Sequence, residues 1–172
     1  VSNIIAEVKD YVFINNHDPR LFEGFSMGNP RIQTGNLLVH LKESPTSILI
    51  EAEESKIPEI KNMLTHFYAD HIEHRRWGAP FPVIEIVKLG INKARGIEQV
   101  RQFLNIDRNN IIAFGDEDND IEMIEYARHG VAMENGLQEL KDVANNITFN
   151  NNEDGIGRYL NDFFNLNIRY YC

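Results

Sequence analysis

The sequence contains a single cysteine, Cys172, at its last position. One cysteine cannot form a disulfide framework within the chain, so a hydrophobic core has to stabilise the fold, and a reducing, cytoplasmic setting is expected. No apolar run approaches the roughly 20 residues that a membrane-spanning helix needs. No secretory signal peptide is evident either. These absences predict a cytoplasmic protein that has no membrane partner.

Positive charge is also scarce. Lysine and arginine total 17 against 26 aspartate and glutamate residues, for a net charge of −9 and a sequence pI of about 5.1. Phosphate contacts dominate nucleic-acid affinity, so this balance argues against a nucleic-acid partner. The hydrophobic share of 42% is ordinary for a globular protein, and 172 residues allow one domain or two small ones. The chain begins with Val1 rather than methionine, which is compatible with a longer gene product.

The most informative stretch is residues 111–121, which read IIAFGDEDNDI. Four apolar residues predict a short strand buried on both faces, and Gly115 permits a tight turn after it. Three carboxylates and an amide follow at once, then Asp120, and from Ile121 apolar residues recur at helical spacing. In an open parallel sheet, ligands bind at the carboxyl ends of strands, where this loop would lie. Its hard oxygen ligands suit Mg²⁺.

Two other structures can begin with acidic residues at this spacing. Acidic residues at a helix start also stabilise the helix dipole, but that role rarely needs Asp116, Asp118 and Asp120 together. An EF-hand loop also has acids at positions 1, 3 and 5, but it requires glycine at position 6 and glutamate at position 12. Those positions hold Ile121 and Ala127, so the EF-hand interpretation fails.

Four motifs in order carry a resemblance to a known family. Residues 115–124, GDEDNDIEMI, resemble the GDxxNDxxM signature of the haloacid dehalogenase-like phosphatases, in particular the Cof-type subfamily. Residues 130–136, GVAMENG, are similar to its GVAMxNA, and residues 152–156, NEDGI, to its NxEDGV. Residues 90–96, GINKARG, resemble its lysine motif, although Asn92 stands where Ser or Asp is usual.

The chain changes its pattern near Gly90. Before it, a short amphipathic helix is predicted over residues 3–13, and weak strands near Phe22, Phe25 and residues 37–39. Further strands at 47–52, 71–77 and 83–87 surround a helix that opens at Pro58. Residues 1–87 are therefore interpreted as an N-terminal helix followed by an α+β unit over about 20–82. By resemblance, this unit is the cap domain of Cof-type phosphatases.

After Gly90, helices and strands alternate strictly. Helices are predicted from about residues 92, 118, 137 and 157, and strands at 111, near 131 and at 147–149. Such alternation indicates a parallel, Rossmann-like sheet. Residues 88–172 are therefore expected to form the C-terminal part of a Rossmann-like α/β core. The predicted fold class is thus α/β, a haloacid dehalogenase-type core with an α+β cap.

The resemblance assigns roles to four residues. Asp116 matches the carboxylate that binds Mg²⁺ directly, and Asp120 the one that holds the metal's waters or orients the loop. Asn119 matches a residue that contacts substrate or phosphate. Lys93 matches the lysine that neutralises the phosphoryl oxygens, as phosphoryl transfer requires. The implied function is a Mg²⁺-dependent phosphatase that acts on a small phosphorylated metabolite.

The family's aspartate nucleophile, in a DxDG[TV] motif after a first core strand, is not found. Asp10 precedes Tyr11 and Asp18 precedes Pro19, and neither is expected to follow a buried strand. We therefore expect the chain to be a fragment that lacks roughly the first 80 residues of such a protein and is inactive alone. The alternative is a non-catalytic metal- or ligand-binding regulatory protein. The open edge expected at the Ile111 strand predicts a homo-oligomer or a missing N-terminal segment.

Overall fold

A computed structural model describes residues 3–16, 31–77 and 82–168 of the chain. The chain divides into two compact units, Val1–Ile91 and Asn92–Cys172. Each unit has its own sheet and its own buried core. Among the described residues, no helix combines the length and the apolar composition that crossing a lipid bilayer requires.

The first unit contains a six-stranded sheet with the strand order β3-β2-β1-β4-β6-β5. The β2–β3 pair is parallel and the other neighbouring pairs are antiparallel. Its strands are β1 Asn3–Val8, β2 Tyr11–Ile14, β3 Arg31–Thr34, β4 Ser47–Glu51, β5 Ile72–Arg76 and β6 Val83–Lys88. Within the described residues of this unit, the helices are α1 Leu37–His40 and α2 Ile57–Tyr68.

Helix α2 covers one face of this sheet. Pro58 lies in its first turn, where its missing N–H costs nothing. The buried helix residues pack with apolar residues of β4 and β6 in one cluster, Ile50, Ala52, Ile57, Ile60, Leu64, Ile84 and Ile86. Full burial of each large aliphatic side chain contributes about 1.5–3 kcal/mol. The strand at 47–52, the helix at Pro58 and the strands at 71–77 and 83–87 are all present as predicted, within one or two residues at their ends.

Two predictions in the first unit are wrong. Residues 3–13 form no helix but a hairpin of β1 and β2, with a two-residue turn in which Lys9 has a left-handed φ of 56°. Strand β1 lies between β2 and β4 in the sheet, and buried residues occur on both of its faces, so it lacks the alternation that marks a half-exposed strand. Residues 37–39 are helical rather than extended, because the Asn36 side chain caps α1. The predicted strands near Phe22 and Phe25 lie outside the described residues.

The second unit contains three parallel strands in the order β7-β8-β9. The parallel pairing predicted for the first two is confirmed, with Phe114 opposite Val131. The strands are β7 Ile112–Gly115, β8 His129–Met133 and β9 Asn146–Thr148. The helices are α3 Lys93–Leu104, α4 Ile121–Tyr126, α5 Gln138–Val143 and α6 Gly155–Phe164. The alternation of helices and strands is also confirmed, and a 3₁₀ turn over Asp118–Asp120 precedes α4.

The core of the second unit joins β7 and β8 to α4 and α5. Its buried residues are Ala113, Ile124, Ala127, Ala132 and Leu140. Small residues allow α4 to approach the sheet closely. A Cβ added at Gly130 of β8 would lie 2.2 Å from the carbonyl oxygen of Ile124, so only glycine fits there. This packing holds α4, the helix that follows the acidic loop, against the sheet.

Candidate functional site

The acidic loop starts where β7 ends, at the carboxyl edge of the parallel sheet. Gly115 is the last residue of the strand, and a Cβ there would lie 2.5 Å from the Cβ of Asp120. The glycine is required because the loop folds back onto the strand end. This turn brings Asp120 beneath the backbone of residues 116 and 117.

Asp120 is buried, with 5% of its surface exposed. Its Oδ2 accepts hydrogen bonds from the backbone N–H groups of Asp116 at 3.0 Å and Glu117 at 3.2 Å. Its Oδ1 accepts a hydrogen bond from Lys93 Nζ at 2.5 Å. Burying a carboxylate is costly unless it is paired and hydrogen-bonded. Asp120 therefore shapes the loop and anchors the lysine, and both of its oxygens are engaged.

Lys93 is the first residue of α3. Asn92 caps this helix, because its side-chain oxygen accepts the backbone N–H of Arg95 at 2.9 Å. Asparagine serves as an N-cap as well as serine or aspartate does, so the departure from the family's lysine motif keeps this function. Lys93 Nζ also donates to Asn119 Oδ1 at 3.0 Å. The structure thus brings together three of the four predicted site residues, Lys93, Asn119 and Asp120.

Asp116 has different neighbours. Its Oδ2 accepts a hydrogen bond from Asn135 Nδ2 at 3.2 Å, and Asn135 Oδ1 accepts the backbone N–H of Asn151 at 3.0 Å. Asn135 follows β8 and Asn151 follows β9. Sequence reasoning assigned no role to these two asparagines. One sequence signal could have identified them, because a polar residue follows shortly after each of the three parallel strands: Asp116 after β7, Asn135 after β8 and Asn151 after β9.

The backbone of the site is tied together at the same place. The N–H of Leu137 donates to the carbonyl of Asp116 at 2.9 Å, and the N–H of Gly136 donates to Met133 at 2.9 Å. A Cβ on Gly136 would lie 3.0 Å from the Cα of Asp116. The turn after β8 therefore lies directly against the start of the acidic loop.

The donor set limits which metal chemistry fits. Within the described ranges, no group of three or more His, Cys, Asp or Glu side chains is arranged to hold a metal ion. Of the two carboxylates expected at the metal, Asp120 accepts hydrogen bonds at both oxygens and Asp116 at one, so Asp116 is the one better placed to bind a cation directly. Mg²⁺ keeps several waters and is often held by one or two carboxylates. Asp116 therefore fits a Mg²⁺ ion as a single carboxylate ligand, with waters or other groups completing the coordination.

A second polar cluster joins α3 to α4. The Glu98 carboxylate accepts from Arg101 Nε and Nη2, each at 2.8 Å, and from the hydroxyl of Tyr126. The Arg101 hydrogen bond, followed by that of Tyr126, lowers the pKa of Glu98 to about 2. The same hydrogen bond to Glu98 raises the pKa of Tyr126. The cluster links the helix that carries Lys93 to the helix that follows the acidic loop.

Comparison with known proteins identifies the family of this chain. Residues 2–160 match the family described as haloacid dehalogenase-like hydrolase, and the chain belongs to that family. The family identified from the four motifs is therefore confirmed. The α/β fold with a parallel, Rossmann-like core is also confirmed by its solved relatives. A haloacid dehalogenase-like hydrolase from Bacteroides thetaiotaomicron superposes with a TM-score of 0.80 at 26% identity, covering 94% of this chain and 61% of that one.

Two of the matched relatives are phosphatases named for a substrate. The 5-amino-6-(5-phospho-D-ribitylamino)uracil phosphatase YitU of Bacillus subtilis (strain 168) is 46% identical over 166 residues, covering 96% of this chain and 62% of that protein. The phosphatase YwtE of the same organism, named for the same substrate, is 30% identical over 105 residues, covering 61% of this chain and 35% of that protein. The chain thus spans about three fifths of YitU and less of YwtE.

Proposed function

We propose that the chain is part of a Mg²⁺-dependent phosphatase that hydrolyses a small phosphorylated metabolite. The observation that carries this proposal is the Lys93–Asp120 ion pair at the loop that ends β7. It puts a cation at the carboxyl edge of the parallel sheet, beside a loop whose Asp116 fits Mg²⁺. The named phosphatase relatives support the reaction class.

Each site residue has a proposed role. Asp116 would bind Mg²⁺, and a bound Mg²⁺ would supply positive charge that neutralises phosphoryl oxygens. Asp120 orients the loop and Lys93, and would hold water ligands of the metal. The Lys93 ammonium would bind the phosphoryl oxygens and stabilise their charge during transfer. Asn119, which already accepts a hydrogen bond from Lys93, would contact the substrate.

The first substrate to test is 5-amino-6-(5-phospho-D-ribitylamino)uracil, because the phosphatase YitU is named for it and is 46% identical to this chain. This compound is a phosphate monoester of a small polar molecule, which agrees with the substrate class expected from the motifs. We also propose a cytoplasmic location, on the basis of the single cysteine.

We propose that the 172-residue chain alone is inactive. Neither Lys93 nor the metal loop can attack phosphorus, since Lys93 acts as a cation and Asp116 is proposed to hold the metal. In contrast to the expectation from sequence, Asp10 does follow a buried strand, β1. Asp10 nevertheless lies exposed in the turn of an antiparallel hairpin in the first unit. Asp18 lies outside the described residues.

The test compares two proteins in the hydrolysis of p-nitrophenyl phosphate with and without Mg²⁺. One is the 172-residue chain, and the other carries the preceding segment of its gene product. We expect metal-dependent turnover only in the longer protein, and a sharp loss of that turnover in its Asp116→Asn variant. Activity of the pure short chain that Asp116→Asn abolishes would show that the nucleophile lies within these residues.

The same assay decides the rival function. A non-catalytic regulatory protein would bind metal or ligand through the same loop but would hydrolyse no phosphate ester in either form. An inactive longer protein whose Mg²⁺ binding still requires Asp116 would favour that alternative.

A further inference from the structure

Asn135 connects the ends of all three parallel strands. Its Nδ2 donates to Asp116 Oδ2 at 3.2 Å, after β7, and its Oδ1 accepts the backbone N–H of Asn151 at 3.0 Å, after β9. Asn135 itself stands two residues after β8. One side-chain amide therefore links three loops at the edge where the candidate metal ligand lies.

The direction of this amide is determined by its partners. A backbone N–H can only donate, and an ionised carboxylate can only accept. The oxygen of Asn135 must therefore face Asn151, and its NH₂ group must face Asp116. Rotating the amide by half a turn would set two donors against each other on one side and two acceptors on the other. The backbone of Asn151 thus determines which group Asn135 presents to Asp116.

Asp116 is held at two further points from the same turn. The N–H of Leu137 donates to its carbonyl at 2.9 Å, and Gly136 packs against its Cα. With the backbone held there and Oδ2 bound to Asn135, the carboxylate has one preferred orientation. In the described part of the chain, no hydrogen bond reaches Oδ1 of Asp116, so that oxygen is the one open to a ligand.

The geometry points to Asn135 as a positioning residue for Asp116, set in turn by the backbone N–H of Asn151. This inference rests on the proposed function, in which Asp116 binds Mg²⁺. Groups that orient a metal ligand typically change metal affinity or activity by about 10–100-fold when removed. Asn135 needs no contact with the metal or substrate to have this effect.

Two substitutions release Asp116 in different ways. Asn135→Ala removes the amide. Asn151→Pro keeps every side chain of the acidic loop but removes the N–H that sets the amide. Asn151 is the first residue of a 3₁₀ turn, and Asn150 before it has φ −68° and ψ 168°, which a following proline favours. Asn152→Ala is the matched control, because Asn152 contributes its backbone N–H, to Asn150, in the same turn.

The first measurement needs no metal. Three-bond NMR couplings to the Asp116 Cγ report whether its χ1 angle has one value or several. We expect a single rotamer in the parent chain and in Asn152→Ala, and averaging in Asn135→Ala and Asn151→Pro. Averaging already present in the parent, or a single rotamer kept in the folded variants, would overturn the inference. If one of the two variants fails to fold, the couplings of the other still test the inference.

The second measurement follows Mn²⁺, which prefers the same oxygen ligands as Mg²⁺, by paramagnetic broadening of signals around Asp116. We expect Asn135→Ala to weaken binding at least tenfold, by the effect of removing an orienting group, and to add no further loss in an Asp116→Ala background. An equal loss in both backgrounds would mean that Asn135 does not act through Asp116. If Asp116→Ala leaves Mn²⁺ binding unchanged, the metal role of Asp116 in the proposed function is refuted. The three-bond couplings would still test whether Asn135 orients the Asp116 side chain.

Discussion

The ammonium of Lys93 lies 2.5 Å from Oδ1 of Asp120, while Oδ2 of the same carboxylate accepts the N–H groups of Asp116 and Glu117. One buried side chain therefore sets both the shape of the acidic loop and the position of the cation beside it. Since both oxygens of Asp120 already accept hydrogen bonds from within the site, its main task within this unit is to organise the site. The ligand role falls to Asp116, at the other end of the same loop.

Replacement of Asp120 tests this organising role. Asp120→Asn keeps the size of the side chain but removes its charge and turns a donor towards either Lys93 or the loop N–H groups. We expect the free energy of unfolding to fall by about 1–2 kcal/mol, since hydrogen bonds to a buried charged group are stronger than average but Lys93 is half exposed. Urea unfolding measures the change. Asp162→Asn, at an exposed position of α6, should change stability by less than about 0.5 kcal/mol.

Replacement of Lys93 tests the proposed phosphate site in the longer, active protein. Lys93→Ala should raise KM and lower kcat, with a loss in kcat of about a hundredfold, because a cation aimed at developing charge is removed. Steady-state kinetics with p-nitrophenyl phosphate separate the two effects. The control is Lys141→Ala, on α5. An unchanged kcat in Lys93→Ala would show that Lys93 does not stabilise the transition state.

The cluster of Glu98, Arg101 and Tyr126 predicts a pH dependence of stability. The Arg101 hydrogen bond lowers the pKa of Glu98 in the folded state to about 2, from an ordinary value of 4.5. The stabilisation is therefore fully present above pH 4.5 and is lost as pH falls towards 2. Thermal unfolding between pH 6 and pH 2.5 should show a smaller drop in Tm for Glu98→Gln than for the parent. Glu125→Gln, an exposed residue of α4, controls for the loss of one charge, and equal drops in all three proteins would contradict the prediction.

Two glycines of the second unit should respond to alanine in opposite directions. A Cβ at Gly96, inside α3, meets no atom within 4 Å, so Gly96→Ala should stabilise the protein by about 0.5–1 kcal/mol through helix propensity. A Cβ at Gly130 would lie 2.2 Å from a backbone oxygen of α4. Gly130→Ala should therefore destabilise by about 2 kcal/mol or more, because the helix has to move. Chemical denaturation measures the free energy of unfolding of both variants, and effects of the same sign would contradict this prediction.

The open edge of the parallel sheet predicts association. In the described part of the chain, β7 is an outer strand with a neighbour only on the side of β8. Apolar side chains of α3 are also exposed, among them Phe103 with 88% of its surface in solvent. Unpaired edges and exposed apolar surface favour pairing with another chain. We therefore expect the isolated chain to form a homo-oligomer, to purify with a further segment of its own protein, or to be marginally stable. A stable, dilute monomer of 19.9 kDa in light scattering would contradict this.

The sequence by itself determined the second unit well. Short apolar runs, single glycines and acidic or amide residues follow one another over a few positions, and each of these signals acts locally. The strand at Ile112, the loop at Asp116 and the parallel pairing with β8 could all be predicted from them. The N-cap at Asn92 also lies within one turn of the helix that it starts. Local signals of this kind need no knowledge of distant residues.

The tertiary structure decided what depends on distant partners. The apolar spacing of residues 4–12 fits a helix and a doubly buried strand equally well, and only pairing with β2 and β4 made it a strand. In the same way, Asn135 meets Asp116 and Asn151 across separations of 19 and 16 residues. The periodicity of apolar residues along the sequence does not predict such contacts. They exist because parallel strands bring their carboxyl ends to one edge, where side chains far apart in sequence become neighbours.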